Sequence, residues 1–194
     1  MDASGLRRRS FCLGLAATIV GAARPAGASF DMPPALQADL MVKLAPYDRG
    51  LRARAGDVVD VVLVTKPGDA DSERSAAQLA ASLGRVARIA DLPHRETVVG
   101  YAGGSELAAR CKQLRAAIVH VSPQLAPVGD AIRTALDGVN VLTVAPSVEL
   151  VRRAVVLGFD LVSSKPKLFF NAGLAKRQGI VLASEVLKLM TVFP

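Results

Sequence analysis

Only a handful of side chains in this sequence could carry chemistry. There are two histidines, His94 and His120, and two cysteines, Cys12 and Cys111. His120 stands in AAIVHVSP, near the end of a β-branched run that reads as a strand. Open α/β sheets bind ligands at the carboxyl ends of their strands. His120 is therefore the foremost candidate for ligand contact, the alternative being a ring that satisfies a local hydrogen bond. No other histidine, cysteine or carboxylate lies at metal-ligand spacing from it, which argues against a metal site. His94 follows Pro93 in a polar stretch and is expected in solvent.

The second candidate is YAGGSEL (101–107), two glycines before a helical pattern. Backbone amides at such a start can hold an anion, so Gly103, Gly104 and Ser105 join His120 as ligand-binding candidates. The segment matches neither G-x-G-x-x-G nor the phosphate-binding G-x-x-x-x-G-K-[ST], and the plainer reading is a tight turn with Ser105 as helix cap. No G-x-S-x-G elbow is present to raise a nucleophilic serine. Ser122 and Ser147 read as loop or cap residues, and Asp69 and Asp71 as turn carboxylates. Cys111 shares a helical face with Leu107, Ala108 and Leu114, the setting of a small core residue. No catalytic motif survives among these readings, and no cofactor is expected.

The elements that position these residues follow from periodicity. Leu36, Leu40, Met41, Leu44, Tyr47 and Leu51 recur at helical spacing, with Pro46 set to kink or split the helix. VVDVVLVT (58–65) is the near-continuous apolar run of a strand buried on both faces. Asp71 or Ser72 would cap the helix that follows, which runs to about residue 83. Strands are expected at 86–90, 97–101, 116–121 and 139–144, and helices from 105 to about 115, over 127–136 and over 147–156. Two extended segments, 159–163 and 167–170, flank Lys165-Pro166 as a hairpin turn, and a final helix spans about 172–189. Alternation of this kind makes βαβ units. The expected fold is an α/β three-layer sandwich: a mostly parallel sheet, helices on both faces, and a C-terminal β-hairpin plus helix.

The N-terminus reads differently. Arg7, Arg8 and Arg9 precede an uncharged apolar run (11–23), and Ala26-Gly27-Ala28 is a small-x-small cleavage site. That order describes a secretory signal peptide over 1–28, the alternative being an uncleaved N-terminal anchor. Its apolar run is too short to span a bilayer, which takes about 20 residues. Arg8-Arg9-Ser10-Phe11 leaves export open between the general secretory and twin-arginine routes. Residues 29–194 then form a single domain in the periplasm. The leader holds four Arg and one Asp, so its loss lowers the formal net charge from +7 to +4. There is no Trp and no basic cluster interleaved with aromatics, so nucleic acid is not an expected partner.

The tail raises the remaining question. In LFFNAGLAKRQGIVLASEVLKLM (168–190), Asn171 stands where strand gives way to helix, as an N-cap would. Gly179 should break or kink the helix before a second amphipathic stretch. The segment resembles the end of the YfiR-like family of periplasmic proteins, in which a strand closing on Asn is followed by a helical turn, a Gly-Leu pair, a Ser-Ser pair and a Leu-rich helix. The counterparts are Leu168-Phe169-Phe170-Asn171, Ala175, Gly179-Ile180, Ala183-Ser184 and Val186-Leu187 with Leu189. VLTVAPSVELV (141–151) is similar to the family's penultimate strand and loop. The likeness covers about 139–193. Leu157-Gly158 keeps one glycine of the usual pair, and the cysteines that pair in some relatives are absent. The resemblance implies a non-enzymatic regulator, not an enzyme, that binds the periplasmic part of an inner-membrane diguanylate cyclase and lowers cyclic di-GMP. Self-association into a homodimer stays open. The alternative class is a periplasmic small-molecule binding protein that uses His120 and the Gly103-Gly104 turn. A partner role predicts an exposed apolar patch, a receptor a concave site with convergent polar groups.

Overall fold

The computed structural model describes residues 32–163 and 165–194; the leader read over 1–28 lies outside them. Seven strands form one sheet. β1 (Val59–Thr65) is buried along its whole length, as its Val-rich run requires. β2 (His94–Gly100) and β3 (Ile118–Val121) flank it in parallel. β4 (Leu142–Ala145) and β5 (Leu157–Val162) continue the parallel order. β6 (Lys165–Asn171) returns antiparallel to β5, and β7 (Met190–Phe193) pairs in parallel with β6. The order is β2-β1-β3-β4-β5-β6-β7.

Helices cover both faces, which makes the expected three-layer α/β sandwich. On one face α1 (Pro34–Leu44), α3 (Ala70–Leu83), α7 (Ala172–Arg177) and α8 (Ser184–Leu187) pack on Val61, Leu63, Ile118, Val144 and Phe159. On the other, α4 (Gly104–Gln113), α5 (Gly129–Ala135) and α6 (Val148–Arg153) pack on Val62, Val64, Val119 and Val121. Alternate residues of β1 thus feed two separate cores, the period-2 geometry of a strand. Pro46 divides the first helix as expected: α1 gives way to a 3-10 turn at Ala45–Tyr47, then to α2 (Leu51–Ala55).

Several expectations need correction. No strand forms at 86–90. Ala90 and Asp91 take left-handed backbone angles in a tight turn, bridged from Ile89 to Leu92. Ile89 and Leu92 are buried there, and arginines at 85 and 88 interrupt the apolar pattern. β2 instead starts at His94, in register with Val59. The helix expected over 127–136 is a 3-10 stretch at Pro123–Val128 that passes into α5. The β5–β6 turn begins at Ser163, and Lys165 and Pro166 lie within β6 opposite Val162 and Leu161. Pairing with β7 starts only at Leu168, so Pro166 removes no ladder bond on that side.

The tail departs furthest. The break expected at Gly179 is present, and it leaves two short helices, α7 and a four-residue α8, where a second amphipathic helix was expected to reach 189; residues 190–193 are an edge strand. Gly179 takes φ 65°, a left-handed angle that ends α7. The chain then runs extended over the α1–α2 connection: Arg49 N–H donates to the Val181 carbonyl and Ala183 N–H to that of Tyr47. The β-branched and aromatic character of Thr191, Val192 and Phe193 is the local reason for strand rather than helix. The Phe193 ring stacks on Phe169, centroids 6.1 Å apart.

Candidate functional site

The sheet order reverses direction between β1 and β3, because the chain winds out to β2 and then returns past β1. The carboxyl ends of strands at such a switch point leave a crevice that no connecting loop fills. In this chain a cavity of about 190 Å³ lies there. Val64 from β1 and His120 from β3 form its floor, Ser122 and Gln124 follow β3, and Ser72 and Ser75 come from α3. Gln37 of α1 closes another side.

Two hydrogen-bond chains organise the polar groups. In the first, Lys66 N–H donates to Ser72 Oγ at 2.9 Å, Ser72 Oγ donates to Ser122 Oγ at 2.8 Å, and Ser122 Oγ donates to Gln124 Oε1 at 2.5 Å. In the second, Gln37 Nε2 donates to the Met32 carbonyl at 2.6 Å, which turns Gln37 Oε1 toward His120. His120 Nε2 therefore carries the proton and donates to that oxygen at 3.0 Å, leaving Nδ1 as the ring's acceptor. Burial pushes the His120 pKa down to about 4, so the ring is neutral at pH 7. The start of α3 is already capped: Asp69 Oδ1 accepts from Ser72 N–H at 3.0 Å. This corrects the expected caps, Asp71 or Ser72, by two or three residues.

His120 thus sits where the sequence placed it, at the end of a strand and against a cavity. Gly103, Gly104 and Ser105 do not join it. Gly104 and Ser105 border a separate, open cleft between α4 and α5, with Asp130 and Thr134. Gly103 is the N-cap of α4 with φ 135°, and Ser105 makes no capping bond, which corrects that expectation. A Cβ on Gly104 would lie 3.0 Å from that of Ala135, so close helix packing accounts for this glycine. His94 is not solvated. Its side chain is 5 % exposed, with Nε2 bonded to the Val86 carbonyl and Nδ1 to Glu96. Cys111 is buried, and that burial raises its pKa to about 11. Sequence reasoning missed Gln37 and Gln124 and read Ser122 as a loop or cap residue; no local signal marks Gln37 as the neighbour of a segment more than 80 residues further along the chain.

Asn171 proves to be architectural. Its Oδ1 accepts from Leu174 N–H at 2.9 Å and its Nδ2 donates to the Val151 carbonyl at 2.8 Å, so both polar atoms are spent on backbone. It borders an open cleft with Arg133, Arg152, Arg153 and Arg177. Three of these arginines face carboxylates, Asp130, Glu149 or Asp137. The fourth, Arg152, lies over the Phe193 ring. Among the described residues no group of His, Cys, Asp or Glu is arranged to hold a metal ion.

No family model matches the sequence, and no curated protein does. Solved structures share the fold. One is a conserved domain protein from Vibrio cholerae O1 biovar El Tor, with TM-score 0.59 and 12 % identity over 82 % of this chain and 60 % of that one. Another is the ABC domain in complex with L-Trp from Streptococcus pneumoniae, with TM-score 0.57 and 12 % identity over 82 % and 61 %. A third is the ligand-free, open form of a substrate binding protein with adhesive properties from Clostridium difficile, with TM-score 0.54 and 10 % identity over 74 % and 57 %. The chain spans about three-fifths of the length of these structures. At such identities the likeness is one of fold.

Proposed function

We propose that this chain is a small-molecule binding protein whose ligand occupies the cavity at the ends of β1 and β3. The observation that carries the reading is the convergence of Gln37, Ser72, His120, Ser122 and Gln124, from α1, α3 and the end of β3, on one concave site at the switch point. A few fixed polar groups in a crevice of this kind are what a receptor needs. Two of the solved structures of this fold are described as a ligand complex and a substrate binding protein, which is in keeping with that class. The role is binding rather than catalysis. Ser72 donates its hydroxyl proton to Ser122, Ser122 donates to Gln124, and His120 is engaged with Gln37, so no hydroxyl is bonded to the imidazole as a nucleophile would be to its base. The protein acts in the periplasm, where the leader over 1–28 would send it. No helix among the described residues is long and apolar enough to cross a membrane.

A thermal-shift screen with metabolites tests the reading, run on the wild type and on Ser75→Trp. Ser75 is half-buried at the cavity lining, so the indole obstructs the site without entering the core. A ligand at 100 times its Kd stabilises by about 2.7 kcal/mol, a shift of several degrees. The expected result is a hit on the wild type that the variant loses. Hits that persist in Ser75→Trp would place binding elsewhere.

A second reading, the YfiR-like regulator of a membrane diguanylate cyclase, is favoured by the apolar side chains in and beside the tail. Tyr47, Val181, Leu189 and Val192 are exposed, and Tyr47 and Val181 lie on neighbouring backbone segments. Deleting the gene should then raise cyclic di-GMP, and a cyclase should co-purify from membranes. An unchanged nucleotide level with no such partner removes this reading and leaves the first intact.

A further inference from the structure

We infer that the cavity at the ends of β1 and β3 selects an uncharged ligand that presents a hydrogen-bond acceptor beside a donor, of which a primary amide is the simplest form. The inference rests on the proposed binding role and specifies its chemistry. Among the described residues that line the cavity there is no Asp, Glu, Lys or Arg. A charged ligand would leave water for a wall of hydroxyls, amides and a neutral imidazole, with no counter-charge to meet it. The positive pole at the start of α3 is taken: Asp69 accepts the Ser72 amide and is itself paired with Lys66.

The polarity of the two hydrogen-bond chains sets what remains on offer. Ser72 accepts from a backbone amide and must donate onward. Ser122 accepts that bond and donates to Gln124 Oε1. The Gln124 oxygen is thereby occupied, and its amide NH₂ is the end of that chain left to donate. On the facing chain, Gln37 fixes the proton on His120 Nε2, and Nδ1 is left to accept. The two chains leave one donor and one acceptor, which match a ligand with the reverse pair; the Ser75 hydroxyl and the Gln78 amide on α3 also border the cavity and can serve either partner. The cavity of about 190 Å³ limits that ligand to a small number of heavy atoms.

Three probes of nearly equal size separate the alternatives: propionamide, propionate and propylammonium, titrated at pH 7 by calorimetry into the wild type and Ser75→Trp. The expected result is propionamide binding that Ser75→Trp abolishes, with both ions at least about tenfold weaker, as expected where a buried polar wall lacks a counter-charge. Either ion binding as tightly as the amide, and losing that binding in Ser75→Trp, overturns the selection for neutral ligands and keeps the cavity as a site. Failure of propionamide to bind at tens of millimolar, while the metabolite screen yields a hit that Ser75→Trp loses, overturns the inference and keeps the cavity as a site; failure of the screen as well overturns both.

Discussion

His120 is a base held neutral by burial, and that state has a measurable consequence. Its pKa in the folded chain is about 4, against 6.5 when exposed. Between those values the unfolded chain binds the extra proton and the folded chain does not. Stability is therefore full above pH 6.5 and falls as the pH is lowered toward 4, by up to about 3 kcal/mol from this residue. Urea unfolding of the wild type over that window should show the decline. His120→Gln keeps a donor for Gln37 without a titrating ring, and its curve should be flatter by that amount. Equal slopes for the two proteins would mean that the ring is not buried neutral. Cys111 gives a second check. With its thiol buried and its pKa raised to about 11, it should resist an aromatic disulfide reagent in the native protein and react at once in denaturant. Rapid native labelling would contradict its place in the core. At this scale the sequence was readable where a residue's own run defined its setting, as for His120, Cys111 and Asn171. It was not readable for His94, whose ring is claimed by a carbonyl eight residues back and by a strand neighbour.

Among the elements, the sharpest constraint lies where β5 crosses α6. A Cβ built on Gly158 would stand 2.2 Å from Val151 Cγ2 and 2.9 Å from the Ala145 carbonyl oxygen. Neither neighbour can yield without moving α6 or the β4–β5 ladder. Gly158→Ala should therefore destabilise by about 1–3 kcal/mol, with an unchanged denaturant m-value. A neutral substitution would show that α6 packs less closely than described. The strands that face both cores were legible because β1 and β3 are near-continuous apolar runs, interrupted only by Asp60, the terminal Thr65 and His120, and buried on both sides. The tail was not. Apolar residues after Gly179 recur at spacings that fit a helix. What decides the outcome is distant: the segment 180–183 bonds to the α1–α2 connection, and Leu168 to Asn171 offer an open strand edge for residues 190–193. Local periodicity carries no information about either.

For the whole molecule, one sheet with a reversal of winding places a cavity beside β1 and β3, and neutral polar side chains from α1, α3 and the end of β3 meet there. The strand that bears His120 could be picked from the sequence together with the general rule for open sheets; the glutamines and serines that complete the site required the fold. The turn at Gly103 and Gly104, which looked like a partner for His120, belongs to a different cleft because α4 lies on the opposite face of the sheet from α1 and α3. The central claim is that the cavity at His120 receives the ligand. With only two histidines in the chain, the imidazole ¹⁵N spectrum is simple enough to decide it. On saturation with a ligand from the screen, the account predicts that the Nδ1 resonance of His120 shifts while both nitrogens of His94 stay in place. A bound ligand that leaves His120 unmoved would contradict it.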